Sequence, residues 1–98
     1  MERMIETPTI GEILNEEFLK PMGISAYRLS KDIGVPTSRI QDILHNRRRM
    51  TADTSIRLGR YFGISDKYFL NMQDDIDIRN ICIAMGDELS KIKQFKYA

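Results

Sequence analysis

Apolar side chains recur every three or four residues along most of this chain, from Ile10 to Met72. This spacing lines up one face of a helix, whereas a half-buried strand alternates apolar and polar residues over roughly four to eight positions. No segment between turn-forming residues shows that alternation. The sequence therefore predicts an all-α fold, and the short connections predict that consecutive helices pack as neighbours in one bundle.

Residues that start and stop helices divide the periodic segments into five predicted helices. The first ends near Pro21, the second ends at Gly34, and the fourth runs to about Phe62 and ends at Gly63. The residues expected to precede or open the five helices are Thr9, Ser25, Pro36, Thr51 and Ser65. The side chains expected to face the core include Tyr27, Leu29, Ile33, Ile40, Ile43, Leu44, Ile56 and Leu58.

The length suits a single domain, 1–98, with a compact five-helix bundle in 8–73 and a helical extension in 74–98. Three aspartates begin the extension, where carboxylates complement a helix N-terminus, and Gly86 predicts a break between two shorter helices. The apolar residues of this region suit packing within the bundle as well as contact with a second copy of the chain. The aspartates are Asp74, Asp75 and Asp77, and the candidate dimer contacts are Phe69, Met72, Ile78, Ile81, Met85 and Leu89.

Charge is distributed unevenly along the chain, although the formal total is only +1. Residues 1–24 carry two basic and five acidic side chains, a net charge of −3. Residues 25–49 carry six basic and two acidic side chains, a net charge of +4. Proteins that bind nucleic acid usually carry a cluster of basic residues. Residues 25–49 form such a cluster, although the whole chain is nearly neutral.

The basic segment also contains the spacing of two short helices joined by a tight turn. Gly34 can adopt the positive φ that ends a helix, and Pro36 keeps Val35 out of the helical region. Ser30 is small enough to let the two helices approach closely. This pattern predicts a helix-turn-helix, whose second helix enters the major groove of DNA.

Polar side chains on the outer face of the third predicted helix are the candidates for reading bases. Gln41 can bond adenine, Asp42 can accept from cytosine N4, and short hydroxyl side chains can touch a thymine methyl group or a phosphate. An ordinary polar surface helix is the alternative interpretation. The base-contacting candidates are Thr37, Ser38, Gln41 and Asp42, and the phosphate-contacting candidates are Arg28, Arg39, His45, Arg47, Arg48 and Arg49.

These residues, together with those on either side of them, resemble a known family. Residues 25–73 look like the Cro/C1-type (XRE) helix-turn-helix domain, and the whole chain resembles the HigA antitoxins of bacterial toxin–antitoxin operons. The most particular match is Phe-Leu-Asn-Met-Gln at 69–73. The sequence departs from the family pattern at Ser30, at His45-Asn46 and at Phe69. The other resembling segments are 10–14, 16–19, 21–25, 47–54, 57–58 and 61–63.

The resemblance implies a sequence-specific DNA-binding antitoxin and transcriptional repressor that acts as a homodimer on a palindromic operator. It also implies a HigB-like mRNA interferase toxin as a protein partner. A stand-alone or phage-type regulator without a toxin, and an interaction module that no longer binds DNA, remain alternatives. The candidate toxin-binding surface is an acidic patch made of Glu2, Glu6, Glu12, Glu16 and Glu17.

Other functional classes receive no support from the sequence. No apolar run approaches the roughly 18 residues of a membrane span, and no secretion signal is evident, so we expect a cytoplasmic protein. Cys82 has no partner for an intrachain disulfide and is expected to be a small buried hydrophobe. One cysteine and one histidine do not make a zinc site, no cofactor motif is present, and no nucleophile or paired-carboxylate pattern predicts an enzyme.

Overall fold

The computed structural model describes residues 7–96, and every regular element within them is helical, as the sequence predicts. The elements are α1 (Ile10–Leu14), the π-helical turn Asn15–Leu19, α2 (Lys20–Met22), α3 (Ala26–Ile33), α4 (Thr37–Leu44), α5 (Ala52–Phe62), α6 (Tyr68–Ala84) and α7 (Gly86–Ser90). α1, the π-helical turn and α2 follow one another without a break and form the first predicted helix. No helix in this part of the chain is long and apolar enough to cross a membrane.

The predicted helix starts after Thr9, Ser25 and Thr51 are confirmed by their side-chain caps, and the predicted stops at Gly34 and Gly63 by their positive φ. The hydroxyl of Thr9 accepts from the N–H of Glu12 at 3.1 Å, and the hydroxyl of Ser25 accepts from the N–H of Arg28 at 3.0 Å. Thr51 caps α5 in the same way. These caps satisfy amide groups that have no partner within their own helix, which fixes where each helix begins.

The core is built where α1, α3, α4, α5 and the first turns of α6 meet. Leu29, Ile40, Leu58 and Phe69 are completely buried in it. The ring of Phe18, in the π-helical turn, lies 5.0 Å from the ring of Phe69, so the N-terminal helices pack against α6.

Gly11 lets α1 lie directly on the backbone of α4. A Cβ atom at this position would be 2.5 Å from the carbonyl oxygen of Leu44 and 2.6 Å from that of Ile43. Contacts that short do not occur without a shift of the backbone. The C-terminal end of α4 is therefore held against α1 by a contact that only glycine permits.

α6 differs from the sequence prediction, which separated a short fifth helix from the extension. The structure has one helix of 17 residues, and Ser65 does not cap it. The hydroxyl of Ser55 on α5 instead accepts from the N–H of Leu70 at 3.0 Å. The aspartates therefore lie inside α6, and the predicted N-terminus there was wrong; the break at Gly86 is confirmed.

Three side chains expected in the core lie at the surface. Tyr27 is 61% exposed, with the ammonium of Lys31 over its ring at 5.5 Å, and Ile56 is also exposed. Cys82, expected to be buried, is exposed on α6. Each lies on a helix that buries only a narrow stripe, so an apolar residue near the edge of that stripe remains in water.

The distal half of α6 extends away from the bundle. The radius of gyration of the Cα atoms is 16.9 Å, whereas a compact domain of about 100 residues has about 13 Å. Ile78 and Ile81 are 61% and 51% exposed, and Ile83 and Met85 are exposed as well. The extension thus presents apolar side chains that the single chain does not cover.

Candidate nucleic-acid interface

The turn between α3 and α4 fixes the orientation of the two helices. Gly34 ends α3 with φ of 73°, and the N–H of Val35 donates to the carbonyl of Ser30 at 3.0 Å. The guanidinium of Arg57 on α5 donates to the carbonyl of Ile33 at 2.7 Å. The glycine was predicted, whereas the role of Arg57 was not, because it acts on a residue 24 positions away.

α4 buries one face and presents the other. Ile40 and Ile43 have no exposed surface, so they anchor the helix in the core. The four predicted base-contacting residues occupy the other side of the helix: Ser38 is exposed, and Thr37, Gln41 and Asp42 are half-buried. The structure therefore brings all four candidates together on one surface.

The loop after α4 turns at Asn46, which has φ of 60°, a left-handed conformation that asparagine tolerates. The Nδ1 atom of His45 lies 2.8 Å from the carbonyl oxygen of Gln41. A carbonyl oxygen only accepts, so Nδ1 carries the proton. In a neutral His45 this hydrogen bond uses the only ring N–H, and the contact of His45 with phosphate remains a prediction.

Most of the predicted phosphate-contacting arginines are paired with a carboxylate of the same chain. Arg39 binds Asp53 at 2.9 Å, and Arg47 binds Asp42 at 3.0 Å. Among the residues that the structure describes, Arg48 has no ion pair, and it is exposed. The remaining pairs of this kind are Arg28 with Asp32 and Arg49 with Asp77.

Arg49 also belongs to a short network that reaches α6. The carboxylate of Asp77 accepts from the Arg49 guanidinium and, through its other oxygen, from the side-chain amide of Gln73 at 3.1 Å. The amide oxygen of Gln73 accepts from the N–H of Met50 at 3.3 Å. The contact with Asp77 raises the pKa of Arg49. Side chains of α6 thus hold the loop at two points, the side chain of Arg49 and the backbone N–H of Met50.

Two of these carboxylates are stabilised in their charged form. Hydrogen bonds from Arg57 and then Arg39 lower the pKa of Asp53. The Tyr61 hydroxyl, at 2.6 Å, is the largest cause of the lowered pKa of Asp32. The sequence pattern did not reveal the distant partners of these carboxylates, Arg39 for Asp53 and Tyr61 for Asp32.

The predicted dimer contacts divide into buried and exposed residues. Phe69 is completely buried in the core, so it has no surface to offer a second copy, and that expectation was wrong. Met72 and Leu89 are half-buried, and Ile78, Ile81 and Met85 are exposed. The residues available for a protein contact therefore lie in the distal half of α6 and in α7.

Comparison with known proteins places this geometry in a family. A family model described as helix-turn-helix matches residues 16–69, which include α3, the turn and α4. The chain belongs to the helix-turn-helix family. The match ends near the start of α6, so the exposed apolar extension lies outside the part that defines the family.

Relatives of known structure place this helix-turn-helix protein close to the HigA antitoxins, which confirms the resemblance seen in the sequence. It is 32% identical to the Pseudomonas aeruginosa antitoxin HigA solved with the higBA promoter, with a TM-score of 0.80 over 91% of this chain and 98% of that one. It is 34% identical to the antitoxin GraA solved in complex with its operator, with a TM-score of 0.83 over 100% and 99% of the two chains.

A curated relative is also similar in sequence. The chain is 51% identical to the virulence-associated protein I of Dichelobacter nodosus over 76% of this chain and 70% of that protein.

Proposed function

We propose that the chain is a DNA-binding antitoxin and repressor that binds a palindromic operator as a homodimer and neutralises a HigB-like toxin in the cytoplasm. The observation that carries the DNA-binding part is the outer face of α4. Ser38, Gln41 and Asp42 lie there, and the exposed Arg48 lies in the loop that follows α4. Polar side chains of this kind read base edges, and an exposed arginine binds phosphate. HigA and GraA, which share the fold, were solved with promoter and operator DNA respectively.

Two substitutions separate the base-reading surface from the phosphate-binding one. Gln41→Ala removes a donor and an acceptor from α4, so it relaxes base preference at one operator position by about 1–3 kcal/mol. Arg48→Ala weakens binding to every duplex alike and reduces the salt dependence by about one phosphate contact.

The measurement is a gel-shift titration on the promoter of the gene that encodes this chain, with single base substitutions in each half-site. Lys67→Ala, which removes an exposed cation just before α6, is the matched control and leaves the titration unchanged. If Gln41→Ala and Arg48→Ala bind every duplex as the wild type does, the proposal that α4 reads bases through its outer face and that Arg48 binds phosphate is wrong.

The homodimer is supported by the apolar surface of the extension. Ile78, Ile81 and Met85 repeat every three or four residues, and all three are exposed. A helix with such a stripe is normally covered, because exposed apolar area costs about 25 cal/mol per Å². A second copy would cover it and would supply the second α4 that a palindromic operator requires.

The toxin contact is assigned to the acidic patch on α1 and the π-helical turn. Glu12 caps α1 and Glu16 pairs with Lys20 at 3.0 Å, whereas Glu17 is exposed with no ion pair in the described part of the chain. Glu2 and Glu6 belong to the predicted patch but lie outside the described residues. A basic partner surface is the chemistry that fits this patch.

Co-expression with the product of the neighbouring gene tests the toxin contact. The wild-type chain restores growth and copurifies with that product, whereas Glu17→Lys weakens the complex. Glu88→Lys, the same charge reversal on α7, leaves the complex intact. The absence of growth rescue and of a complex with the wild-type chain removes the toxin from the proposal and leaves a stand-alone regulator.

A further inference from the structure

Ser30 lies between the two helices of the helix-turn-helix, and its hydroxyl has two neighbours. It is 1% exposed. Its Oγ atom is 2.7 Å from the carbonyl oxygen of Tyr27 and 2.9 Å from Oγ1 of Thr37, the first residue of α4. Both distances are those of good hydroxyl hydrogen bonds. Ser30 therefore connects the interior of α3 to a residue on the outward side of α4.

The directions of these two hydrogen bonds follow from counting protons. A carbonyl oxygen only accepts, so Ser30 must donate its single proton to Tyr27. The bond between the two hydroxyls then needs the proton of Thr37, so Thr37 donates to Ser30. The hydroxyl of Thr37 keeps both of its lone pairs and its methyl group but has no proton left for another partner.

A Thr37 hydroxyl without a free proton distinguishes among the bases. Adenine N6 and cytosine N4 are donors in the major groove, whereas guanine offers only the acceptors N7 and O6 there. Phosphate oxygens are also acceptors. An acceptor facing an acceptor leaves two polar groups unpaired, which is costly when water is excluded.

We propose that Ser30 is a positioning residue for base specificity, which holds Thr37 as an acceptor so that its operator position takes a base with a major-groove amino group and rejects guanine. This inference rests on the proposed DNA-binding function. Ser30 touches no DNA itself and acts through the hydroxyl of Thr37. It also excludes donation to phosphate, one of the two contacts that sequence reasoning allowed for the short hydroxyl side chains of α4.

The test is selection of bound sequences from a library of randomised duplexes by four proteins: wild type, Ser30→Ala, Thr37→Val and the double variant. The wild type enriches adenine or cytosine over guanine at one position in each half-site, by about tenfold. Ser30→Ala frees the proton of Thr37, so guanine is admitted at that position. Thr37→Val keeps the shape without the hydroxyl and loses the preference for the amino bases, and adding Ser30→Ala to it changes nothing further.

Ser38→Ala is the matched control, because it removes an exposed hydroxyl from the same helix without touching Ser30 or Thr37. Its selected sequences keep the exclusion of guanine at the Thr37 position. A urea unfolding curve for each variant separates a loss of specificity from a loss of folded protein. Any general destabilisation weakens binding to all duplexes and does not change which base is preferred.

The possible failures are distinguishable. If the wild type enriches no sequence, the proposed DNA-binding function is overturned and this inference with it. If the wild type enriches a sequence that Ser30→Ala reproduces at every position, the role of Ser30 alone is overturned. The same conclusion holds if Ser30→Ala changes base preference equally in the presence and absence of the Thr37 hydroxyl.

Discussion

The guanidinium of Arg49 binds the carboxylate of Asp77, which joins the loop after α4 to a residue 28 positions further along the chain. The pair is partly open to solvent, with the Asp77 side chain 31% exposed. A solvent-accessible pair of this kind contributes little stability by itself. We expect its larger effect to be on DNA binding, because it gives a predicted phosphate-binding arginine an internal counter-ion.

Asp77→Asn is therefore expected to strengthen nonspecific DNA binding. Arg49 loses its carboxylate partner and becomes available to a phosphate group. Each additional phosphate contact steepens the plot of log K against log salt concentration by about 0.9. Fluorescence anisotropy with an unrelated duplex at several salt concentrations measures that slope.

Asp75→Asn provides the control for Asp77→Asn, since it removes the same charge from an exposed position of α6. It raises affinity slightly through the net charge and leaves the slope as in the wild type. Equal slopes for all three proteins would show that Arg49 does not exchange Asp77 for phosphate.

Gly11→Ala is expected to destabilise the bundle. The new Cβ atom would clash with the carbonyl oxygens of Ile43 and Leu44, and overpacking of this kind costs about 1–3 kcal/mol. The gain in helix propensity, about 1 kcal/mol, offsets only part of that cost. Gly86→Ala is the control, because nothing lies within 4 Å of its Cβ position and only the propensity gain applies. The urea concentration at the unfolding midpoint is measured for both variants and the wild type. A midpoint for Gly11→Ala at or above that of the wild type would contradict this packing of α1 on α4.

Helix boundaries could be predicted from the sequence where a local interaction determines them. Ser25 and Thr51 accept from amides three residues away, and Gly34 adopts its positive φ within the turn itself. The continuity of α6 could not be predicted in this way. The aspartates that look like a helix start lie in its interior, and the hydroxyl that accepts from the N–H of Leu70 in its first turn belongs to Ser55, on another helix.

In the candidate site, too, the features set by local sequence could be predicted and those set by distant residues could not. The outward residues of α4 follow from the helical period and from the burial of Ile40 and Ile43. The carboxylate partners of Arg39 and Arg49 do not, since Asp53 and Asp77 lie 14 and 28 residues from these two arginines. Only the fold brings those charges together, and a charge count by segment therefore overstates how much positive charge is free for DNA.

Asp53→Asn is expected to lower the stability of the protein at neutral pH and to matter less in acid. Arg57 and Arg39 hold the pKa of Asp53 below its ordinary value, so the carboxylate binds its proton less readily in the folded state than in the unfolded state. Its stabilising contribution is present above the ordinary aspartate pKa of about 4 and is lost as the pH falls through the lower folded pKa. Its place in the first turn of α5 acts in the same direction.

Urea unfolding of wild type and Asp53→Asn between about pH 3 and pH 7 tests this expectation. The difference between their unfolding free energies narrows below about pH 4. Asp75→Asn, at an exposed position of α6, stays close to the wild type throughout. A difference for Asp53→Asn that is constant across the whole range would mean that its ion pairs do not stabilise the fold.

Ile81→Asp is expected to convert the proposed dimer into a folded monomer. The side chain is 51% exposed in the single chain, so a carboxylate there leaves the bundle core untouched but cannot be buried against a second copy without a large desolvation cost. Loss of the second α4 removes bivalent binding, and affinity for a two-half-site operator falls by about 100-fold or more. Met22→Asp is the control, because it places the same charge at an exposed methionine of α2, away from the extension. Sedimentation equilibrium gives the mass of each protein, and an Ile81→Asp variant that keeps the mass of two chains would place the dimer contact on another surface.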